Sequence, residues 1–223
     1  MKTTFKQFLE DISIDDGAYS KEASDVAVKG VEQIVSTKWK PVPLKSPFPI
    51  NGFSVKYNKR KTASWFNGNT YDIALLDNKT DAIAVHIECS KREYTVPGGN
   101  IIGLETEQLS SNITYRGKGL VVALYQTLVS NGQNVFSASL QTKGGASVWT
   151  RLTQQTDGTV FGVVPIGDME KKHPEVRSLV DEYDFVLVHG DLDKIAKCVY
   201  DAGDAFWFIT RNPGNLMRRA VKV

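Results

Sequence analysis

The chain has 223 residues, 41% of them hydrophobic and 23% charged, with a formal net charge of +2. That composition supports a substantial folded core. No apolar run approaches the ~20 residues needed to cross a bilayer, and the N-terminus lacks the apolar stretch of a signal peptide, so a cytoplasmic address is expected. A charge near neutrality does not by itself call for nucleic acid. Cys89 and Cys198 are far apart and form neither a disulfide framework nor a metal motif, and His86, His173 and His189 show no metal-ligand spacing. No metal is expected.

In chain order, Phe5, Phe8, Leu9 and Ile12 share one helix face, Ser13 to Ser20 is rich in turn formers, and Lys21 to Ser36 predicts a second helix. Pro41, Pro43, Pro47 and Pro49 impose extended structure and mark a boundary, which sets residues 1–48 apart as a helical N-terminal segment. Strands are then predicted over Phe53–Tyr57 or Tyr71–Leu76, over Ala82–Val96 and over Ile101–Ser110, with Asp77-Asn78-Lys79-Thr80 as a hairpin turn.

The following stretch, Asn112 to Leu120, carries the most chemistry. Arg116-Gly117-Lys118-Gly119 is a basic, double-glycine turn that leads into Val121-Val122-Ala123-Leu124-Tyr125. Leu120, Leu124 and Leu128 repeat at i, i+4, i+8, with Val121 and Tyr125 beside them, which predicts a helix over 120–130 that stops at Asn131-Gly132. The free N–H groups of that helix, its dipole and the charges of Arg116 and Lys118 suit an anion such as a pyrophosphate. Beyond it, Val135 to Leu140 reads as a buried strand, Gln141 to Gly145 as a second glycine turn and Ala146 to Leu152 as a short helix.

In these two glycine-centred segments the chain resembles the GNAT superfamily of N-acyltransferases, which use acetyl-CoA or a related acyl-CoA. The family motif falls on Thr114 through Gly119. Its first position, usually Gln or Arg, is Thr114, and Trp149 stands near the place where many members carry a Tyr general acid. The resemblance implies an α/β fold: a mixed, mostly antiparallel sheet with helices on both faces and a splayed central strand pair. It makes residues 49–165 the acyl-CoA-binding core. By the same resemblance Leu109 and Ser110 offer backbone groups to the pantetheine, Tyr115, Arg116, Gly117, Lys118, Gly119 and Leu120 cradle the phosphates, and Trp149 lies beside the pantetheine arm. The opening Met-Lys-Thr-Thr-Phe-Lys-Gln-Phe-Leu-Glu is similar to the N-termini of many bacteriophage-encoded proteins, which would place the chain in a host cytoplasm or a virion.

Acyl transfer to an amine requires a neutral nucleophile and hence a base. Glu105 and Glu107 alternate onto one face of the strand before the glycine turn, as candidate general bases or as solvated strand carboxylates, with Glu107 nearer the expected opening. Ser137, Ser139 and Ser147 are candidate donors to the thiol or ordinary polar groups, and Cys89 lacks a histidine pattern to activate it. Two other readings stay open. One is a non-catalytic module of the same fold, structural or virion-associated. The other is nucleic-acid binding or modification, because Tyr57-Asn58-Lys59-Arg60-Lys61, Trp65, Phe66, Lys91, Arg92 and Tyr94 interleave basic and aromatic side chains.

In the last part, 166–223, Asp184–Val188 and Ala205–Ile209 predict buried strands around a helix at Leu192–Tyr200, either completing the sheet or forming a small lobe. Arg211 to Lys222 reads as a solvated basic tail.

Overall fold

A computed structural model describes residues 39–45, 48–60, 70–138 and 143–223. The two predicted N-terminal helices lie outside the described residues, as do Lys61, Trp65, Phe66, Ser139 and Leu140 to Thr142. The fold is mixed α/β, built on one ten-stranded, mostly antiparallel sheet.

The first half of the sheet is a meander. Strands β1 (Lys40–Pro41), β2 (Phe53–Arg60), β3 (Thr70–Asp77), β4 (Ile83–Val96) and β5 (Gly99–Ser111) pair in sequence order, each antiparallel to the next. Both alternatives for the first predicted strand are therefore strands. The expected turn joins β3 to β4, where Asp77 Oδ1 accepts from the N–H groups of Lys79 at 2.8 Å and Thr80 at 3.3 Å. This is the local side-chain capture that makes Asp a turn residue.

The second half interleaves strands and helices: β6 (Val135–Phe136), β7 (Thr159–Pro165), β8 (Phe185–His189), β9 (Phe206–Thr210) and β10 (Val221–Lys222) follow β5 in the spatial order β6-β9-β7-β8-β10. Among the described residues the helices are α1 (Leu120–Ser130), α2 (Lys143–Gln155), α3 (Ile166–Met169), α4 (Leu192–Asp201) and α5 (Leu216–Arg219), with 3₁₀ turns at Ile113–Tyr115 and Pro174–Leu179. Along β9 the side chains alternate cleanly. Trp207 and Ile209 join the core beneath α1, α2 and α4, while Phe206 and Phe208 join an aromatic cluster with Phe136 and Phe161 on the opposite face, where Leu216 of α5 also packs. Helices thus cover both faces. The basic C-terminal stretch is not a free tail, because Val221 and Lys222 add to β8 as a parallel strand and Ala220 packs on the aromatic cluster.

The two halves meet along a short seam. β5 and β6 run parallel and pair only at Leu104 with Val135 and Glu105 with Phe136. Gly103 permits the approach, since a Cβ there would stand 2.8 Å from both the Asn134 carbonyl oxygen and Phe136 Cε2. Gly103→Val should accordingly cost about 1–3 kcal/mol by overpacking. A lower urea midpoint with unchanged slope would register it, and a wild-type midpoint would contradict the close contact.

Candidate active site

Beyond Glu105, β5 continues through Thr106, Glu107, Gln108, Leu109, Ser110 and Ser111 hydrogen-bonded to β4 alone among the described residues. Glu88 pairs with Gln108 and Cys89 with Thr106, leaving Glu107 as the extra residue of a β-bulge. Bulges sharpen the local twist and re-aim side chains. The outcome is an opening between β5 and the β6 side of the sheet, with one edge of β5 offering backbone groups.

That opening leads to the glycine turn. After a short 3₁₀ turn at Ile113–Tyr115, Gly117 and Gly119 take φ values of 77° and 72°, left-handed dihedrals that favour glycine, and a Cβ at either would meet nothing within 4 Å. Helix α1 starts at Leu120, as its periodicity predicts. Gly119 is its N-cap and supplies no side-chain acceptor, and the first intrahelical bond runs from Ala123 N–H to the Gly119 carbonyl at 3.0 Å. The N–H groups of Leu120, Val121 and Val122 precede that bond and point out of the helix end. An open, cationic turn of this kind fits a pyrophosphate.

The side chains around the turn are tied down. Tyr115 Oη donates to Asp77 Oδ2 at 3.0 Å, linking the turn to the β3–β4 hairpin, and Lys118 Nζ lies 4.9 Å from the Tyr115 ring centroid. Arg116 Nε donates to the Ser111 carbonyl at 2.9 Å, so this guanidinium braces the end of β5. Leu109 is half-buried against the main core. Trp149 is buried between α2 and α1, its ring centroid 5.2 Å from that of Tyr125, whose hydroxyl shares a 2.8 Å hydrogen bond with Thr106 of β5. Ser137 Oγ accepts from Trp207 N–H at 3.0 Å and so braces β9. Ser147 lies on α2.

Glu105 and Glu107 come together around one guanidinium. Arg92 Nε lies 3.2 Å from Glu105 Oε2, and Arg92 Nη2 donates to Glu107 Oε1 at 3.2 Å. Tyr94 Oη donates to Glu105 Oε2 at 2.7 Å, and Ser90 Oγ to Glu107 Oε1 at 2.6 Å. Burial raises the Glu105 carboxyl above its ordinary value, with the charge of Glu107 adding to the rise, while Tyr94 and Arg92 oppose it. Arg92 and Tyr94 are thus engaged with carboxylates of the neighbouring strand. Lys91, on the other side of the pleat, is solvent-exposed.

The buried Cys89 thiol is pushed up to about 12 by desolvation and by the charges of Asp72, Glu88 and Glu107, which leaves it a poor nucleophile. The polar residues Asp72, His86 and Ser110 gather on the same face of β3, β4 and β5 as the glutamates. They are far apart in sequence, and only the strand registers bring them together.

No helix among the described residues is long and apolar enough to cross a membrane. No family model and no curated protein matches the chain. Among solved structures, Saccharomyces cerevisiae N-myristoyltransferase with bound myristoyl-CoA aligns over 86% of this chain at 12% identity, with a TM-score of 0.34. This chain spans 52% of that protein's length, and a likeness this slight carries no argument about activity.

Proposed function

We propose that the protein is an acyl-CoA-dependent N-acyltransferase, with acetyl-CoA as donor and an amine as acceptor. The observation that carries this reading is the continuity of the edge of β5 from Thr106 to Ser110, which no second strand pairs among the described residues, with the open left-handed glycine turn at the uncapped start of α1. A strand edge suits the amides of a pantetheine, and the helix start suits a pyrophosphate. Leu109 and Ser110 would supply the edge, Gly117, Lys118, Gly119 and Leu120 the anion site, and Tyr115 and Arg116 would hold the turn in place. Trp149, through Tyr125 and Thr106, would support β5 from behind.

Bound acyl-CoA would supply the thioester. Glu105 and Glu107, held on either side of Arg92, would take the proton from the incoming ammonium, because only a neutral amine can attack. Arg92 sets the two carboxylates in place and limits their repulsion. Burial raises the proton affinity of the half-buried Glu105, which suits it to the role of base.

Calorimetric titration with acetyl-CoA and with free CoA tests the assignment. Lys118 is exposed and lies over the Tyr115 ring, so Lys118→Ala should weaken CoA binding about tenfold through loss of one charge-assisted contact, with the melting temperature unchanged. Absence of CoA binding by the wild-type chain would remove the acyltransferase reading and favour a non-catalytic module.

A further inference from the structure

One side chain crosses the seam between the two halves of the sheet. The half-buried Tyr94 of β4 has its ring centroid 4.7 Å from that of Phe206 on β9, 5.3 Å from Phe136 on β6 and 5.7 Å from Phe185 on β8. Phe136 and Phe185 each stand at 81° to it, the edge-to-face arrangement that aromatic pairs favour. A single residue of the first half is thereby fixed to three strands of the second.

The hydroxyl of the same residue turns back toward the cleft. Tyr94 pairs with Ile101, Arg92 with Gly103 and Ser90 with Glu105, so these residues share one face of β4 and β5. Between Ile101 and Glu105 on that face stands Gly103, which puts no side chain in the way. Tyr94 Oη donates to Glu105 Oε2 at 2.7 Å, and Arg92 Nε lies 3.2 Å from the same oxygen. Glu105 Oε1 accepts from no donor among the described residues. The carboxylate is thus held by one oxygen and presents the other. The remaining charged group beside it is Glu107 on its own strand, and its register partner on β6 is the apolar Phe136. Burial, and then the hydrogen bond to Glu105, raise the Tyr94 hydroxyl above its ordinary value, so it stays a donor across the neutral range.

We propose that Tyr94 is a positioning residue that couples Glu105 to the aromatic cluster across the seam. The phenylalanines of β6, β8 and β9 hold the ring, the ring aims the hydroxyl, and the hydroxyl decides which carboxylate oxygen is left free and how readily it takes a proton. Hydrogen bonds weaken steeply when misaligned, so loosening the ring contacts on the far side of the seam weakens the bond to Oε2. A weaker donor stabilises the ionised carboxylate less, and Glu105 then holds its proton to higher pH. That Glu105 acts as a base rests on the acyltransferase reading. The coupling does not.

The test is a pH titration of the full chain, isotope-labelled at the glutamate carboxyl carbons and followed by carbon NMR, with the Glu105 resonance identified by its loss in Glu105→Gln. Tyr94→Phe keeps the ring and removes the hydroxyl, and should raise the Glu105 midpoint by about 1 pH unit. Phe206→Leu keeps the hydroxyl but loosens the ring contact, and should move the midpoint in the same direction. Phe161→Leu is the control. Phe161 belongs to the same cluster and makes its ring contact with Phe208, at 5.8 Å, so its replacement should lower the melting temperature and leave Glu105 where it is. An unmoved midpoint in either Tyr94→Phe or Phe206→Leu would overturn the proposal. Equal displacements in Phe206→Leu and Phe161→Leu would overturn it too, since they would trace the effect to general loosening of the cluster. Turnover assays on the same samples separate the two ideas: a displaced Glu105 midpoint without any acyl transfer keeps the coupling and removes the base role, whereas acyl transfer with an unmoved midpoint removes the coupling alone.

Discussion

Converting Glu105 and Glu107 together to Gln should lower turnover by roughly 10²–10⁴ near neutral pH while leaving CoA affinity intact. Gln keeps the size of each side chain and can still accept from Tyr94 and Ser90, so the loss reports basicity rather than packing. The pH profile gives an independent measure. A base works only when deprotonated, and burial raises Glu105, so the rising limb of kcat/KM should lie above the ordinary glutamate value of about 4.3. The Tyr94 hydrogen bond favours the ionised form, and Tyr94→Phe should move that limb to still higher pH. For stability the sign is the reverse of a salt-bridged acid. A folded-state value above the unfolded one gives a contribution that is complete below the unfolded value and is lost as pH rises through the folded value. Glu105→Gln should therefore not destabilise the protein at neutral pH. Wild-type turnover in the double variant would exclude both carboxylates as the base.

Trp207→Ala should remove about 3–5 kcal/mol of stability. The indole is fully buried on the central strand β9, its Nε1 donates to Tyr200 Oη at 3.3 Å, and it stands in the core under α1, α2 and α4. No neighbour is free to fill the void, because Phe206 and Phe208 on the same strand face the other way. For a chain of this length the melting temperature should drop by roughly 6–20 °C. A drop of only a degree or two would mean that the core relaxes around the gap.

The parts of this fold that were legible in the sequence are those specified by neighbours in the chain. The Asp77 turn is written in side-chain-to-backbone capture over three residues, and the start and stop of α1 in Gly119 and in Asn131-Gly132, where the two glycines take left-handed φ values of 72° and 86°. Leu192 to Asp201 follows its own periodicity and is capped by Asp191, which accepts from Asp193 and Lys194 N–H. Strand β7 was hidden because Gly162 and Pro165 look like loop residues. In the fold, Gly162 is small because Val188, Ile195 and Val199 crowd its α-carbon. Gly144 and Gly145 read as a turn but lie in the first turn of α2. Strand β10 is two residues long and exists only because the β8 edge accepts it.

The candidate site divides in the same way. Its glycine turn is contiguous, and the left-handed conformation of that turn and the helix start behind it could be read directly. The pairing of Glu105 and Glu107 through Arg92, the bulge at Glu107 and the meeting of Asp72, His86 and Ser110 are properties of strand register, which no single segment encodes.

The seam at Gly103 also divides the sheet by sequence separation. On one side, each strand from β2 to β5 is hydrogen-bonded to its sequence neighbour, as in the two-residue Pro97-Gly98 connection. On the other, Val135 must find Ile209 across most of the remaining chain. Closing a longer loop carries a larger entropic cost, and long-range pairings are the slow ones to form. The cleft therefore lies on the line between a half whose register is set locally and a half whose register depends on distant segments meeting.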